Sequence, residues 1–444
     1  MERLEKAYAG LDINGRVFFG YTVAATAVAV ALRVLYLSLY GEPVPPICDA
    51  MGYYHMGSYL AEGFGYVWWT DMLFHGQSTP TAAYPPLFPT LVALLRLVGL
   101  QSIEVQRYAV AVLGAINVPI LALAGRRLAG PITGGIAATL AAVSPAMIAI
   151  DGSFMTEALY LTLVSAVLFV ILKVDIRLNS RSWGLVGFLL GLASLTRSEG
   201  VILLGLMVFP AVFALGHGQS WARIAKPVMA VAIGFAVIVG PWTIRNAVQF
   251  GAFIPISQSY KGVLAGANCD IAYDVPSELG GWLFGCVRAV DVKGLNEVET
   301  FEAFRATGSK YALDHRQEWP RVIEARILRT WGLFRRGHWF GKGAFELRSV
   351  EFAKQTMWTG WLLIAIAPVG LVLVTRRSRV RGWILFAPII TVTLTSAIAY
   401  GNPRFRAAAE PCLILLAAVT CSTLWQTVRQ RIANRAGETQ KSSV

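Results

Sequence analysis

The sequence predicts an all-α polytopic membrane fold. Only 15% of its 444 residues are charged and 55% are hydrophobic, with a mean hydropathy of +0.55. A soluble domain carries about 25% charged residues. The apolar residues also fall in runs of about 20, long enough to cross a bilayer as helices and unlike the ten-residue alternations of an outer-membrane barrel. Finally, the net charge of +13 gathers in short Lys/Arg clusters between apolar runs, as the positive-inside bias requires. That placement explains the basic balance without a nucleic-acid partner, and none is expected.

The first apolar run, 17–40, follows Arg3, Lys6 and Arg16. It is too long for a signal-peptide core and no small-residue cleavage site follows it, so an anchor with a cytoplasmic N-terminus is expected. Later clusters are Arg126-Arg127, Lys173/Arg177/Arg181, Arg223/Lys226, Arg376 to Arg381 and Arg429/Arg431/Arg435. Placing all of them inside predicts ten spans: 17–40, 106–125, 131–150, 157–175, 183–197, 200–216, 227–246, 356–375, 382–400 and 407–428. Both termini are then cytoplasmic, in a multi-pass protein of the inner or plasma membrane.

This divides the chain into four parts. Residues 1–246 form an N-terminal transmembrane module that includes a first outside loop, 41–105. Residues 247–355 form an outside cap, residues 356–428 the C-terminal helices, and residues 429–444 a cytoplasmic tail, polar and disordered after about Arg435. In the cap, Val298, Phe301, Phe304 and Tyr311 recur at helical spacing. So do Val322, Ile323, Ile327 and Leu333, with Arg326 and Arg329 between them. Two readings fit: amphipathic helices on the membrane surface, or packing inside the cap.

On this topology the unusual polar residues share the outer edge. Asp49 follows the first span, Asp151, Thr156 and Glu157 lie between the third and fourth, and Arg197 and Glu199 between the fifth and sixth. Arg245 and Asn246 end the seventh, and Asn402, Arg404 and Arg406 lie between the last two. Ionisable groups at membrane depth are costly and mark functional sites by default. Carboxylates beside guanidiniums can hold a phosphate and deprotonate a hydroxyl. Moving a sugar from a lipid phosphate to an alcohol needs that set, because phosphate leaves without a general acid.

Several motifs then bring a family to mind. They are Asp49 and Tyr54 ahead of Gly63-Phe64-Gly65, Tyr84-Pro85-Pro86-Leu87, Thr156-Glu157, Leu195-Thr196-Arg197-Ser198-Glu199-Gly200, Pro241-Trp242-Thr243-Ile244-Arg245-Asn246, and Tyr400-Gly401-Asn402-Pro403-Arg404. In this order the chain, from about 30 to 415, resembles the GT-C membrane glycosyltransferases, near the protein O-mannosyltransferases and lipid A aminoarabinose transferases. The resemblance implies a GT-C fold, a polyprenyl-phosphate sugar donor and an inverting transfer on the extracytoplasmic face. The acceptor would be a hydroxyl of a glycan, a lipid or a protein. It also implies that Asp49 is the catalytic base and that Arg197, Arg404 and Arg406 are donor-phosphate ligands. Tyr54, Tyr84, Glu157, Glu199 and Arg245 are further substrate-site candidates. Where many relatives have Asp-Glu, this chain has Asp49-Ala50.

Alternatives stand beside each assignment. Asp49 could cap a helix, and Arg197 could pair with Glu199 or Glu157. A non-catalytic lipid-binding or assembly subunit, or a polyprenyl-lipid transporter, would keep the apolar spans without needing Asp49. No cofactor is demanded and no metal is assigned, although Asp49, Asp151 and Glu157 could gather around a divalent ion. Cys269 and Cys286, 17 residues apart, are expected to form a disulfide across the Gly280-Gly281-Trp282 turn, the alternative being two buried thiols.

Overall fold

A computed structural model describes residues 15–41, 43–45, 47–173, 179–334 and 349–441. Arg3, Lys6 and Arg177, three of the cations used to set the topology, lie outside them. So do residues 335–348 of the cap and 442–444 of the tail.

The principal helices are α1 (Gly15–Tyr40), α2 (Asp49–Ala61), α3 (Leu87–Leu97), α4 (Ile103–Gly114), α5 (Asn117–Ala129), α6 (Pro131–Val143), α7 (Pro145–Asp151), α8 (Thr156–Lys173), α9 (Ser180–Thr196), α10 (Trp221–Phe250), α11 (Glu297–Asp314), α12 (Trp319–Thr330), α13 (Val350–Arg377), α14 (Arg379–Ile398) and α15 (Glu410–Lys441). Within the described residues, helix covers most of every expected span. However, six helices among the described residues are long and apolar enough to cross a bilayer, or seven if α6 and α7 count as one bent span. The fourth and sixth expected spans are shorter apolar helices. The tail expected to be disordered is helical to Lys441, in keeping with its helix-forming Arg, Ala, Gln and Glu residues.

The irregularities have local causes. Pro145 starts α7 and Ser144 caps it by accepting from Met147 N at 3.3 Å, so α6 and α7 meet at 55° instead of running straight. Between Gly200 and Leu215 the helix widens into a π turn at Leu204–Val208, just before Pro210. Pro210 has no N–H for the Leu206 carbonyl, and the Trp383 indole donates to that carbonyl instead, at 2.7 Å.

Helix direction alternates, so the basic clusters collect at one end of the bundle. Phe18 of α1 meets Arg126 of α5 there. At the opposite end Tyr36 of α1 approaches Ser349, just before α13. The first loop and the cap sit at that opposite end. Arg326 of α12 is buried and donates to the carbonyls of Ala397 and Ile398 at the end of α14 and of Ala267 in the cap. Arg329, also buried, donates to Leu279 O. These contacts select packing inside the cap over a membrane-surface role for α12, since both cations satisfy protein carbonyls. Cys269 and Cys286 are disulfide-bonded, with Cα atoms 6.2 Å apart, and Trp282 turns the chain back against Gly266.

Candidate active site

The site forms where five separate stretches of chain end at one level. Asp49 opens α2, and its helix-capping alternative fails because Cys48 is the residue before the helix and no side chain caps it. The Asp49 carboxylate instead accepts from the Tyr84 hydroxyl at 3.3 Å and from Arg404 Nη1 and Nη2, both at 3.4 Å. Arg404 is presented by a tight turn, Pro403–Ala408, which Asn402 caps by accepting from the Arg404 amide at 3.0 Å.

Glu157 lies in the first turn of α8, where a carboxylate suits the helix dipole. It is fully buried and sits between Arg404 Nε, at 3.1 Å, and Arg197 Nη1. Arg197 leaves the end of α9 in extended conformation and also holds Glu199 at 2.8 Å. The order Asp49–Arg404–Glu157–Arg197–Glu199 is thus one continuous chain of charge. Both ion pairs weighed for Arg197 exist at once. Beside the two guanidiniums is a cavity of about 10 Å³, room for about one water, whose lining includes Tyr160, Thr391 and Thr395 as well as Val392 and Phe405. The Tyr160 hydroxyl and Thr395 Oγ1 are buried there without hydrogen-bond partners among the described residues.

Openness separates the members of this chain. The Asp49 side chain is 36% exposed, Arg404 14% and Glu157 0%. The contacts to Asp49 are also long, since charge-assisted bonds run about 2.7–2.9 Å. Asp49 is therefore the accessible, loosely held end of a buried network. Tyr84 cannot serve as a base. Burial, and then the neighbouring Asp49 charge, push its phenol well above the ordinary value, so it stays a donor.

The other expected residues stand apart. Tyr54 donates to Gln101 O at 3.0 Å, away from Asp49. Residues four apart share a helix face and residues five apart do not, so Tyr53 is the aromatic on the Asp49 side of α2. It is buried, meets the Tyr84 ring edge-on at 5.4 Å, and the spacing from Asp49 could have revealed it. Arg245 ties α10 to the first loop through the carbonyls of Thr81 and Tyr66, at 2.8 and 3.1 Å. Arg406 forms a buried ion pair with Glu410 at 2.5 Å.

Two buried carboxylates complete the picture. Asp151 is gripped by Arg33 Nε and Nη2 at 2.8 and 2.7 Å, both residues fully buried. Gly114 leaves the room this needs, because a Cβ there would fall 2.2 Å from the Asp151 carboxyl carbon. Glu297, at the start of α11, accepts from Ala82 N at 2.8 Å and Gln258 Nε2 at 3.1 Å. It joins the cap to the first loop, and no sequence motif marks it. Asp49, Asp151 and Glu157, the carboxylates that could gather around a divalent ion, each meet a guanidinium instead. Among the described residues no three His, Cys, Asp or Glu side chains converge as metal ligands.

Residues 83–244 match the family model described as dolichyl-phosphate-mannose-protein mannosyltransferase. No curated protein sequence matches the chain. Among solved structures, the apo oligosaccharyltransferase of Archaeoglobus fulgidus superposes with a TM-score of 0.56 at 15% identity, over 96% of this chain and 52% of that one. The same enzyme, AglB, in complex with an inhibitory peptide and a dolichol-phosphate gives 0.57 at 15% identity, over 95% and 52%. A weaker likeness, 0.44 at 16% identity over 88% and 77%, is to ArnT from Cupriavidus metallidurans bound to undecaprenyl phosphate. The chain thus has the GT-C fold of membrane glycosyltransferases and spans about half the length of the archaeal enzyme.

Proposed function

We propose that this protein is an inverting glycosyltransferase that moves a monosaccharide from a polyprenyl-phosphate donor to an acceptor hydroxyl outside the membrane. The observation that carries the reading is the Asp49–Arg404–Glu157–Arg197 network, buried at one end and open at Asp49. The donor phosphate would take the Nη edge of Arg404 that Asp49 holds loosely, with Arg197 behind it fixed by Glu157 and Glu199. With that cation on the phosphate, the Asp49 carboxylate is left to accept from the acceptor hydroxyl. The acceptor oxygen then attacks the anomeric carbon and its proton goes to Asp49. The carbon–oxygen bond to phosphate breaks, and its electron pair leaves with the polyprenyl phosphate. Orientation rests on the basic clusters at the far end of the bundle, which the positive-inside bias places in the cytoplasm. The disulfide in the cap fits an oxidising compartment on the site's side.

The test is sugar transfer in reconstituted membranes. A panel of radiolabelled polyprenyl-phosphate sugars is supplied with an envelope acceptor extract, to wild type and to Asp49→Asn. Transfer by wild type alone supports the reading and identifies the sugar. Equal transfer by both removes Asp49 as base. No transfer from any donor by folded wild type favours a non-catalytic lipid-binding subunit.

A further inference from the structure

A second feature lies at the other end of the bundle. Between α1 and α5 runs a groove of about 630 Å³, within the range of small-molecule sites. Phe19, Val23, Ala27 and Val30 of α1 face Pro119 and Leu123 of α5 across it. Thr22 and Thr26 also line it, but their hydroxyls donate to Phe18 O and Thr22 O, each at 2.8 Å. Tied back in this way, they add no free polar group to an apolar channel. From Gly15 to Val30 the channel follows α1 for about 22 Å at 1.5 Å per residue. That reaches from one interface past the midplane of a ~30 Å hydrocarbon core.

One cation stands at the end of this channel. The exposed Arg126 guanidinium lies 4.8 Å over the Phe18 ring. Among the described residues it meets no carboxylate or hydrogen-bond acceptor. Its neighbour Arg127 is engaged, donating to Phe169 O at 3.1 Å and lying 3.9 Å over the Phe169 ring. An apolar channel that ends at a guanidinium matches a lipid with an acyl tail and a phosphate head. Arg binds phosphate bidentately, and each cation near an anionic leaflet contributes about a fivefold preference.

We propose that this groove is a binding site for an anionic glycerophospholipid, with one acyl chain along α1 and α5 and its phosphate on Arg126. The site is separate from the Asp49 network, at the opposite end of the bundle, and does not rest on the transferase reading.

Native mass spectrometry of the full chain, released from detergent with added phosphatidylglycerol or phosphatidylcholine, tests this. Wild type is expected to retain phosphatidylglycerol about fivefold better. Arg126→Gln should erase that preference while keeping some adduct. Ala27→Trp should remove the adduct, and since Ala27 is exposed the packed interior is untouched. Arg223→Gln, an exposed cation at the same end but outside the groove, should behave as wild type. Equal retention of the two lipids by wild type would overturn the proposal, as would indifference to both groove variants. A chain starting at Gly15 that gains phosphatidylglycerol the full chain lacks would also overturn it, by making residues 1–14 the natural occupant.

Discussion

Two arginine–carboxylate groups lie toward the same end of the bundle and are held in opposite ways. Arg33 and Asp151 are both fully buried, 2.7 Å apart, beneath a glycine that leaves no further space. Asp49 and Arg404 are partly exposed and 3.4 Å apart. The first pair is sealed from solvent and fastens α1 to α7. The second has a carboxylate open to solvent and a guanidinium whose nearer carboxylate, Glu157, lies behind it. Residue type is the same in both. Burial and distance separate a fastener from a carboxylate that a substrate can reach.

The sharpest way to break this comparison is Asp49→Asn. Sugar transfer should fall by about 10² to 10⁴, the usual worth of a general base, with the unfolding midpoint unchanged. A fall in stability with activity retained would make Asp49 the fastener. Arg33→Met should do the reverse. It strands Asp151 as an unpaired buried charge and should cost about 3–5 kcal/mol of stability, read by detergent-solubilised thermal unfolding. Adding Asp151→Leu should recover most of that loss. The equivalent double replacement of Arg404 and Asp49 should restore no activity.

Smaller effects sharpen the contrast. Tyr84→Phe removes the hydroxyl that donates to Asp49. A loss near 1 kcal/mol is expected, about fivefold in rate, with the pH–rate profile displaced and stability little altered. Glu297 is an intermediate case, a carboxylate held by neutral donors. Burial raises its pKa above the ordinary value, opposed by hydrogen bonds from Ala82 N–H and Gln258 and by the nearby Arg245 charge. The folded chain therefore binds this proton more tightly than the unfolded chain. Its contribution is full below the ordinary carboxylate range and is lost as pH rises through the raised value. Amide exchange in residues 66–84 should quicken across that interval in wild type, and the slope should vanish in Glu297→Gln.

Much of the site was legible because charge at membrane depth is rare. Asp49, Glu157, Arg197, Glu199 and Arg404 stand out against apolar runs, and the structure brings all five together. Tyr53 was missed in favour of Tyr54, although helix periodicity favours the residue four from Asp49. Arg406 was expected beside Arg404, but alternate residues of the tight turn face different ways and Arg406 finds Glu410. Glu297 carried no signal, because its partners are backbone and amide groups distant in sequence.

By itself the sequence determined the solvent. Its apolar runs, sparse charge and basic clusters require a helical membrane protein, since only helices and closed barrels satisfy their backbones in lipid. Only the tertiary structure decided which arginine meets which carboxylate. Those pairings join residues up to 355 positions apart, and pattern within a single helix does not specify them. The same holds for Arg126, which reads as one more topology signal until α1 and α5 enclose a groove beside it.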